Sequence, residues 1–366
     1  MDGVDISIIK SDGYDEFSCI FDDYYRFDED LYAELINLRD KIVQYDDLYK
    51  YSVEINEMEK KFTLFNGKIV QKVIYKRLEK IDFIGFHGQT IFHEPGKKIS
   101  RQLGDGKLLS QITKCSVINN FRKNDLNNGG QGAPLTPIYH NLLSRIIFDK
   151  FQIKYPMNII NIGGITNVTQ IISNFDNNGS NLYAYDIAPG NCLIDEWIRK
   201  HGKGKFDQDG NLAKSGKVNK LILNQAIDNF TINSFENSLD IKNFDISFVK
   251  GLSLEDGCAT LTTFTAYMIA EGLKRINHIN NLNVKNYLLC GGGRKNKILI
   301  ERISEFFKGK EIKLNNIDDY DFNGDYIESQ AFGYLAIRSN LNLPISFPNT
   351  TRCEKAISGG IIEKNY

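Results

Sequence analysis

Residues 185–197, YDIAPGNCLIDEW, combine the end of a strand, a tight turn and the start of a helix. The run 181–185 alternates apolar with small or polar side chains, which is typical of a strand. Residues 189–191, Pro-Gly-Asn, predict the turn, because Pro fixes φ and Gly or Asn tolerates positive φ. The apolar spacing over 193–197 then predicts a helix. Asp186 would stand where the strand enters the turn, a suitable place for a general base; the alternative is that it caps the helix or the turn.

Composition excludes several classes of protein. The 366 residues suggest about two domains. With a net charge of −1 and mixed charge signs, the chain offers no electrostatic attraction for nucleic acid or an anionic membrane. Six cysteines occur singly, which argues against a zinc cluster or a disulfide framework and favours a reducing cytosol. The first residues resemble no signal peptide, and no apolar run could span a bilayer, so we expect a cytoplasmic location.

Polar side chains follow a predicted strand in the first half of the chain. Residues 81–86 predict a short buried strand, and HGQTIFH follows at 87–93. Its histidines, Gln89 and threonine are groups that a hydroxyl-rich ligand could use, although a lone histidine is more often structural. The two histidines are six residues apart, which does not match a helical metal pair.

A glycine-rich segment at residues 127–135 predicts a close backbone approach to a ligand or another domain, and we place a domain boundary near it. The elements around it are predicted as strands at 4–9 and 116–122, a helix at 138–148, and surface structure with a helix in the acidic, aromatic stretch 17–49.

Two glycine turns follow strands in the second half. Residues 157–162 and 165–172 predict a hairpin joined by Gly163-Gly164, a turn that could also cradle a phosphate. Residues 284–290, Gly291-Gly292-Gly293 and a helix at 296–307 form a strand–turn–helix arrangement in which backbone can approach a nucleotide. Neither turn matches a dinucleotide fingerprint or a Walker A motif. Further helices are predicted at residues 256–275 and 328–339.

Nine segments stand out in this order: MDGVD (1–5), HGQTIFH (87–93), QLGDG (102–106), NFRKNDLNNGGQGAPLTP (120–137), NIGGITNVT (161–169), DIAPGNCLIDEW (186–197), ATLT (259–262), CGGGRKN (290–296) and GDYIESQAFGYLA (324–336). Together they resemble the anhydro-N-acetylmuramic acid kinase family of the actin–hexokinase superfamily.

The resemblance implies a two-domain α/β fold, actin/hexokinase-like and ribonuclease H-like, with an ATP cleft between the lobes. The N-terminal lobe would comprise residues 1–127 and 345–366, and the C-terminal lobe residues 128–344. The implied enzyme uses ATP and Mg²⁺ to open a 1,6-anhydro amino sugar with water and to phosphorylate the freed O6. A homodimer is also implied.

The resemblance also assigns residues. Asp186 would be the base that activates water. The nucleotide would contact Asp2, Gly3 and Asp5, with Gly163 and Gly164 at the β- and γ-phosphates and Gly291, Gly292 and Gly293 at the adenosine end. Asp2 would be a ligand of the metal. His87, Gln89, Arg122 and Glu328 would lie on the sugar side.

The sequence also departs from the family. Members carry a segment like GLMSGTS before MDGVD, which forms the first strand and first phosphate loop; here the chain starts at Met1, so we expect either an upstream start or a decaying gene. The usual DTGPGN reads DIAPGN at 186–191, DFR reads NFR at 120–122, and a PKSTG-like stretch reads DIKNF at 240–244. The alternatives to the kinase are an impaired descendant that still binds nucleotide weakly, and a kinase for another amino sugar.

Overall fold

The computed structural model describes residues 2–77, 79–174, 176, 179–202, 204–230 and 244–365. Its strands are β1 Gly3–Ser11, β2 Phe17–Arg26, β3 Phe83–Phe86, β4 Gln89–Glu94, β5 Ile99–Leu103, β6 Ser116–Asn119, β7 Met157–Ile162, β8 Ile165–Ile171, β9 Leu182–Pro189, β10 Asn286–Cys290, β11 Lys313–Asn316 and β12 Ile361–Glu363. Its α-helices are α1 Glu29–Lys41, α2 Asp47–Lys50, α3 Ser52–Arg77, α4 Gly106–Thr113, α5 Arg122–Asn127, α6 Pro137–Phe151, α7 Cys192–Lys200, α8 Asn211–Ser215, α9 Lys220–Asn229, α10 Leu254–Ile279, α11 Lys297–Glu305, α12 Ile327–Asn340 and α13 Pro348–Thr351.

The chain divides into two compact units. Unit 1 comprises Met1–Leu142, Asp176–Ser180 and Glu328–Tyr366, and unit 2 comprises Leu143–Phe175 and Asn181–Ile327. These boundaries differ from those of the two expected lobes, and the lobes with their ATP cleft stay a prediction. The mixed α/β class is confirmed, because each unit combines sheets with helices.

Unit 2 is built on one continuous sheet with the strand order β11-β10-β7-β8-β9. β8 runs antiparallel to both β7 and β9, whereas β10 runs parallel to β7 and β11. This is the strand order of a ribonuclease H-like sheet. The long helix α10 packs its apolar residues into the same core, where Leu261, Ile269 and Leu273 are fully buried. Ser253 caps this helix by accepting from Asp256 N–H at 3.1 Å.

Unit 1 has divided sheets instead. β1 pairs only with β2, while β3 pairs with β6, and β6 also pairs with β12, among the residues that the structure describes. β4 and β5 form a separate hairpin. A second core lies around α1 and α3, in which Leu35 of α1 and Leu103 of β5 are fully buried.

Most predicted elements of the sequence are present, with three corrections. The expected buried strand at 81–86 is shorter, and all four residues of β3 are only half-buried, because one edge of β3 borders a groove. The stretch 17–49 is not merely surface structure, since it contains β2 and the core helix α1. The strand predicted at 116–122 ends at Asn119, because Asn120 adopts a φ of 55° and Arg122 begins α5.

Candidate functional site

Three turns meet at one edge of the sheet of unit 2. Because β7, β9 and β10 run in the same direction, their carboxyl ends lie on the same side, where α/β proteins usually bind ligands. Gly163-Gly164 follows β7, Gly190 follows β9, and Gly291-Gly292-Gly293 follows β10. Gly190 N–H donates to Gly164 C=O at 2.9 Å, and Asn191 N–H donates to Gly163 C=O at 2.8 Å. The first two turns are therefore joined directly.

The fold requires some of these glycines. Gly291 has a φ of 76°, and a Cβ there would lie 2.2 Å from Asn161 Oδ1. A Cβ on Gly293 would lie 2.2 Å from Ile162 Cγ2, and one on Gly190 would lie 2.3 Å from the carbonyl oxygen of Gly163. Side chains at these positions would collide with the protein itself.

The fold does not require two others. A Cβ on Gly163 would meet Ile165 O at an ordinary 3.5 Å, and one on Gly292 would meet nothing within 4 Å. Neither residue has a positive φ. Space is thus left open above both backbones, as a site for a closely approaching ligand needs. The sequence could not separate these two glycines from their neighbours.

The hairpin that carries Gly163 is confirmed, with one difference. The last register pair of β7 and β8 is Ile162 with Thr166, and Gly163 N–H donates to Ile165 C=O at 3.2 Å. The loop therefore holds three residues rather than the two that the sequence suggested.

Asp186 lies within β9 and is partly exposed. It pairs with Asn167 of β8, and the register shifts just beyond this pair, so that Ile187 has no partner of its own. Asn167 is three residues beyond Gly164, a distance of about 10 Å along a strand. The N-cap of α7 is Asn191. Asp186 is therefore not the N-cap residue of this helix, and a capping role for it at the turn stays a prediction.

A second acid of this region, Asp195 of α7, was not predicted from the sequence as a candidate site residue. Burial raises its pKa to about 7; Arg199 opposes this shift and Asp207 adds to it. The residue is therefore poised to change its charge near neutral pH. Its sequence signal was slight, since an acid in the first turn of a helix is ordinary.

In unit 1, β1 and β3 border a groove of about 800 Å³. Helix α12 covers part of it, because Gly85 of β3 packs on the carbonyl of Phe332 and Gly333 packs on Ile9 of β1. Six of the seven unit 1 residues singled out in the sequence line this groove, namely Asp2, Gly3, Asp5, His87, Gln89 and Glu328. Gly3 is also needed for packing, since a Cβ there would lie 2.5 Å from the ring of Tyr24.

The seventh residue, Arg122, reaches the groove through His87. Arg122 Nη2 and Nε lie 2.9 and 3.3 Å from His87 Nε2. A guanidinium can only donate, so Nε2 accepts and the imidazole is neutral. Burial lowers the pKa of His87 to about 3, and the charge of Arg122 adds to this shift. Phe332 packs on this ring, with centroids 4.3 Å apart, a contact that no sequence pattern predicted.

The glycine-rich segment at 127–135 holds Arg122 in place. Arg122 Nη1 donates to Gly132 C=O at 2.8 Å, and Gly132 N–H donates to Asp125 Oδ2 at 2.5 Å. Thr351 Oγ1 donates to the other oxygen of this buried carboxylate. Gly130 must lack a side chain, because a Cβ there would lie 2.2 Å from Asp125 Oδ2. The close backbone approach predicted from these glycines is therefore to the protein itself.

No set of three His, Cys, Asp or Glu side chains suited to a metal occurs among the described residues. Mg²⁺ in phosphotransferases commonly takes only one or two carboxylates, with waters and phosphates completing its shell. Asp2 is exposed and lines the groove, so its carboxylate could be one such ligand. The DIKNF stretch at 240–244 lies, except for Phe244, outside the described residues. No helix in the described ranges is both long and apolar enough to cross a bilayer.

The chain is similar to known proteins over its whole length. The sequence profile of a family described as "Anhydro-N-acetylmuramic acid kinase" matches residues 1–365. A protein of that name from Pelagibacter ubique (strain HTCC1062) is 51% identical over 369 residues, covering 100% of this chain and 96% of the relative. Its counterpart from Brucella canis is 35% identical, covering 99% and 95%.

One solved structure is a weaker match. The activator of the 2-hydroxyisocaproyl-CoA dehydratase from Clostridium difficile, with bound ADPNP, is 17% identical and has a TM-score of 0.33. It covers 53% of this chain and 64% of the activator chain. A score this low supports no conclusion about the chain.

Proposed function

This chain belongs to the anhydro-N-acetylmuramic acid kinase family, and we propose that it uses ATP to open 1,6-anhydro-N-acetylmuramic acid and phosphorylate its O6. The product would be N-acetylmuramic acid 6-phosphate. Such a reaction serves the recycling of peptidoglycan sugars.

Asp186 is the proposed general base. Its carboxylate takes a proton from water as the water oxygen bonds to the anomeric carbon, and the bond from that carbon to O6 breaks. The freed O6 attacks the γ-phosphorus of ATP, and the bond from that phosphorus to the bridging oxygen breaks to release ADP. Opening the bridge thus supplies the nucleophile for phosphoryl transfer.

The observation that best supports this proposal is the joined pair of turns in unit 2. Gly163-Gly164 is hydrogen-bonded to the turn after β9, and Asp186 of that strand pairs with Asn167, which lies about 10 Å beyond Gly164 along β8. A phosphate above Gly163 and a sugar beside Asp186 would then be neighbours. Phosphoryl transfer depends mainly on such positioning and on neutralising charge, to which a bound Mg²⁺ would contribute.

The remaining residues are assigned by the same proposal. Gly291, Gly292 and Gly293 contact the adenosine end of ATP, and Gly292 has the open space to do so. Asp2, Gly3 and Asp5 lie towards the phosphates, with Asp2 as a metal ligand. On the sugar side are Gln89, Glu328 and the neutral His87 held by Arg122.

A second candidate function is an impaired descendant that binds nucleotide but turns over slowly. The groove in unit 1 favours it, because two strand edges beside the predicted phosphate contacts have no partner strand among the described residues. A kinase for another amino sugar is the third possibility.

One assay separates the three. The purified chain is incubated with ATP, Mg²⁺ and either the 1,6-anhydro sugar, open N-acetylmuramic acid or N-acetylglucosamine, and sugar phosphate is followed by mass spectrometry. Phosphate transfer to the anhydro sugar alone supports the proposal. Transfer to an open sugar instead would indicate another amino-sugar kinase, and ATP binding by calorimetry without transfer would indicate the impaired descendant.

A further inference from the structure

Arg294 follows the three glycines after β10, and only 4% of its side chain is exposed. Its Nε and Nη2 donate to the two oxygens of Asp318 at 2.6 and 2.9 Å. Its Nη1 donates to Asp325 Oδ1 at 2.7 Å and to the carbonyl of Gly291 at 3.0 Å. One guanidinium therefore joins the glycine turn to the segment 318–325.

The same segment is also bound to the turn through its backbone. Gly291 N–H donates to Gly324 C=O at 3.1 Å, and Gly324 N–H donates to Asp318 Oδ1 at 3.1 Å. A Cβ on Gly324 would lie 2.5 Å from Arg294 Nε, so this glycine allows the guanidinium to fit. The N–H and the C=O of Gly291 are thus both hydrogen-bonded to residues of one network.

The network is charged at neutral pH. Burial opposes the ionisation of Asp318 and Asp325, but hydrogen bonds from Arg294 outweigh it and hold the pKa of both carboxyls below the usual range. A planar guanidinium reaches two carboxylates and a carbonyl at once. A lysine ammonium in its place could not span the three acceptors in the same geometry.

We propose that Arg294 is a positioning residue for the adenosine end of a bound nucleotide. It fixes the carbonyl of Gly291, and with it the position of the next residue, Gly292, which faces open space. This inference rests on the proposed function, in which the turn contacts adenosine. Arg294 itself would not touch the ligand.

The test measures calorimetric affinities for ATP, adenosine and inorganic tripolyphosphate. In Arg294→Gln we expect ATP and adenosine to bind about ten- to a hundredfold more weakly, as misplaced contacts do, with tripolyphosphate unchanged. Arg294→Lys should recover only part of the loss. Asp325→Asn, which keeps both bonds to Asp318, is a milder second variant in case Arg294→Gln fails to fold, and it should show the same pattern with a smaller change.

Tyr287→Phe is the matched control. Tyr287 is a buried residue at the amino end of β10, where its hydroxyl accepts from Asn277 Nδ2 at 2.8 Å, so its loss should lower the melting temperature without changing any of the three affinities. Equal losses for adenosine and tripolyphosphate, or none, in both Arg294→Gln and Asp325→Asn would overturn the positioning role. A parent chain that binds no ATP would overturn the proposed function and this inference together.

Discussion

Along the chain, unit 2 has a hairpin, a long helix, a strand, a helix and a strand, and its strands form one sheet. Unit 1 contains the same succession of elements, but its strands are divided among several sheets. The hairpin β8–β9 corresponds to β1–β2, and α10 corresponds to α3, each of 26 residues. The parallel pair β10 and β11 corresponds to β3 and β6.

The two units differ in the central strand of the sheet. In unit 2, β7 lies between β8 and β10 and ends in Gly163-Gly164. In unit 1 the corresponding strands, β1 and β3, instead border the groove of about 800 Å³. Unpaired backbone edges of this kind are ready to accept another strand. A strand and a phosphate-binding turn in that place would make the two units alike.

The largest effect is expected for Asp186→Asn, which tests whether unit 2 carries the chemistry. The amide keeps the shape of the side chain but cannot take a proton, so turnover should fall about a hundred- to ten-thousandfold. Sugar and ATP binding should be largely kept. Product formation from the 1,6-anhydro sugar is measured beside thermal melting. Asp209→Asn, at an exposed position of the same unit, is the control. A folded Asp186→Asn protein with most of its turnover would refute the assignment and direct attention to Glu328.

The next effect concerns the groove. A strand-forming segment with a GTS-like turn, added before Met1, should pair with the edges of β1 and β3 that border the groove and tighten ATP binding. Each charge-assisted hydrogen bond from such a loop contributes about 1.5–3 kcal/mol, or roughly ten- to a hundredfold in affinity. Calorimetry of ATP with and without the segment is the measurement, and a scrambled segment of equal length is the control. Equal affinities would mean that the divided sheet does not limit nucleotide binding.

A smaller effect would separate the two kinds of glycine in unit 2. Gly292→Ala places a methyl group in open space, and Gly163→Ala places one at an ordinary contact distance from Ile165 O. In both variants the fold should be unchanged or stabilised by about 0.4–1 kcal/mol. ATP should bind about 1–3 kcal/mol more weakly if it occupies that space. Gly293→Ala should instead destabilise the protein, since its methyl group would collide with Ile162.

Melting and calorimetry on the same samples decide this prediction. Gly96 of unit 1 also has nothing within 4 Å of an added Cβ, so Gly96→Ala should lower neither the affinity for ATP nor the melting temperature. If Gly292→Ala binds ATP as the parent does, the space above Gly292 is not a nucleotide site.

A further effect is a difference in pH dependence between the units. Burial lowers the pKa of His87 and His140 of unit 1 to about 3, whereas histidines of the unfolded chain have pKa values near 6.5. As pH falls, the unfolded chain therefore takes up protons on these histidines before the folded chain does. Unit 1 should therefore lose stability as pH falls from about 6.5 towards 3. Burial raises the pKa of Asp195 of unit 2 to about 7, from 3.8 in the unfolded chain. The stability that its protonated carboxyl contributes is therefore fully present below pH 3.8 and is lost as pH rises to 7.

Thermal melts of Asp195→Asn and the parent test the sign. The variant should gain stability over the parent at pH 7.5 and not at pH 4, with a slope of at most about 1.4 kcal/mol per pH unit for one group. His140→Gln should reduce the loss at acid pH. A gain for Asp195→Asn that is equal at both pH values would show that its carboxyl does not titrate between them.

Local patterns in the sequence were enough to predict the elements that depend on neighbouring residues. The hairpin on either side of Gly163, the helix α6 and the helix α7 after the turn at Gly190 all lie where periodicity and turn residues predicted them. The motif order was also enough to indicate the family, since motifs are short and contiguous. The long helix α3 was not predicted, because its buried residues, such as Ile55 and Phe62, sit among many charged ones.

Only the tertiary structure decided which residues meet. Gly292 and Gly293 are neighbours that the sequence does not distinguish. Contact with Ile162, more than a hundred positions earlier, excludes a side chain at Gly293, whereas Gly292 faces open space. The pairing of Arg294 with Asp318, the burial of Asp195 and the divided sheet of unit 1 likewise depend on residues far apart in the chain. Distances between such residues are set by packing, and no local pattern encodes them.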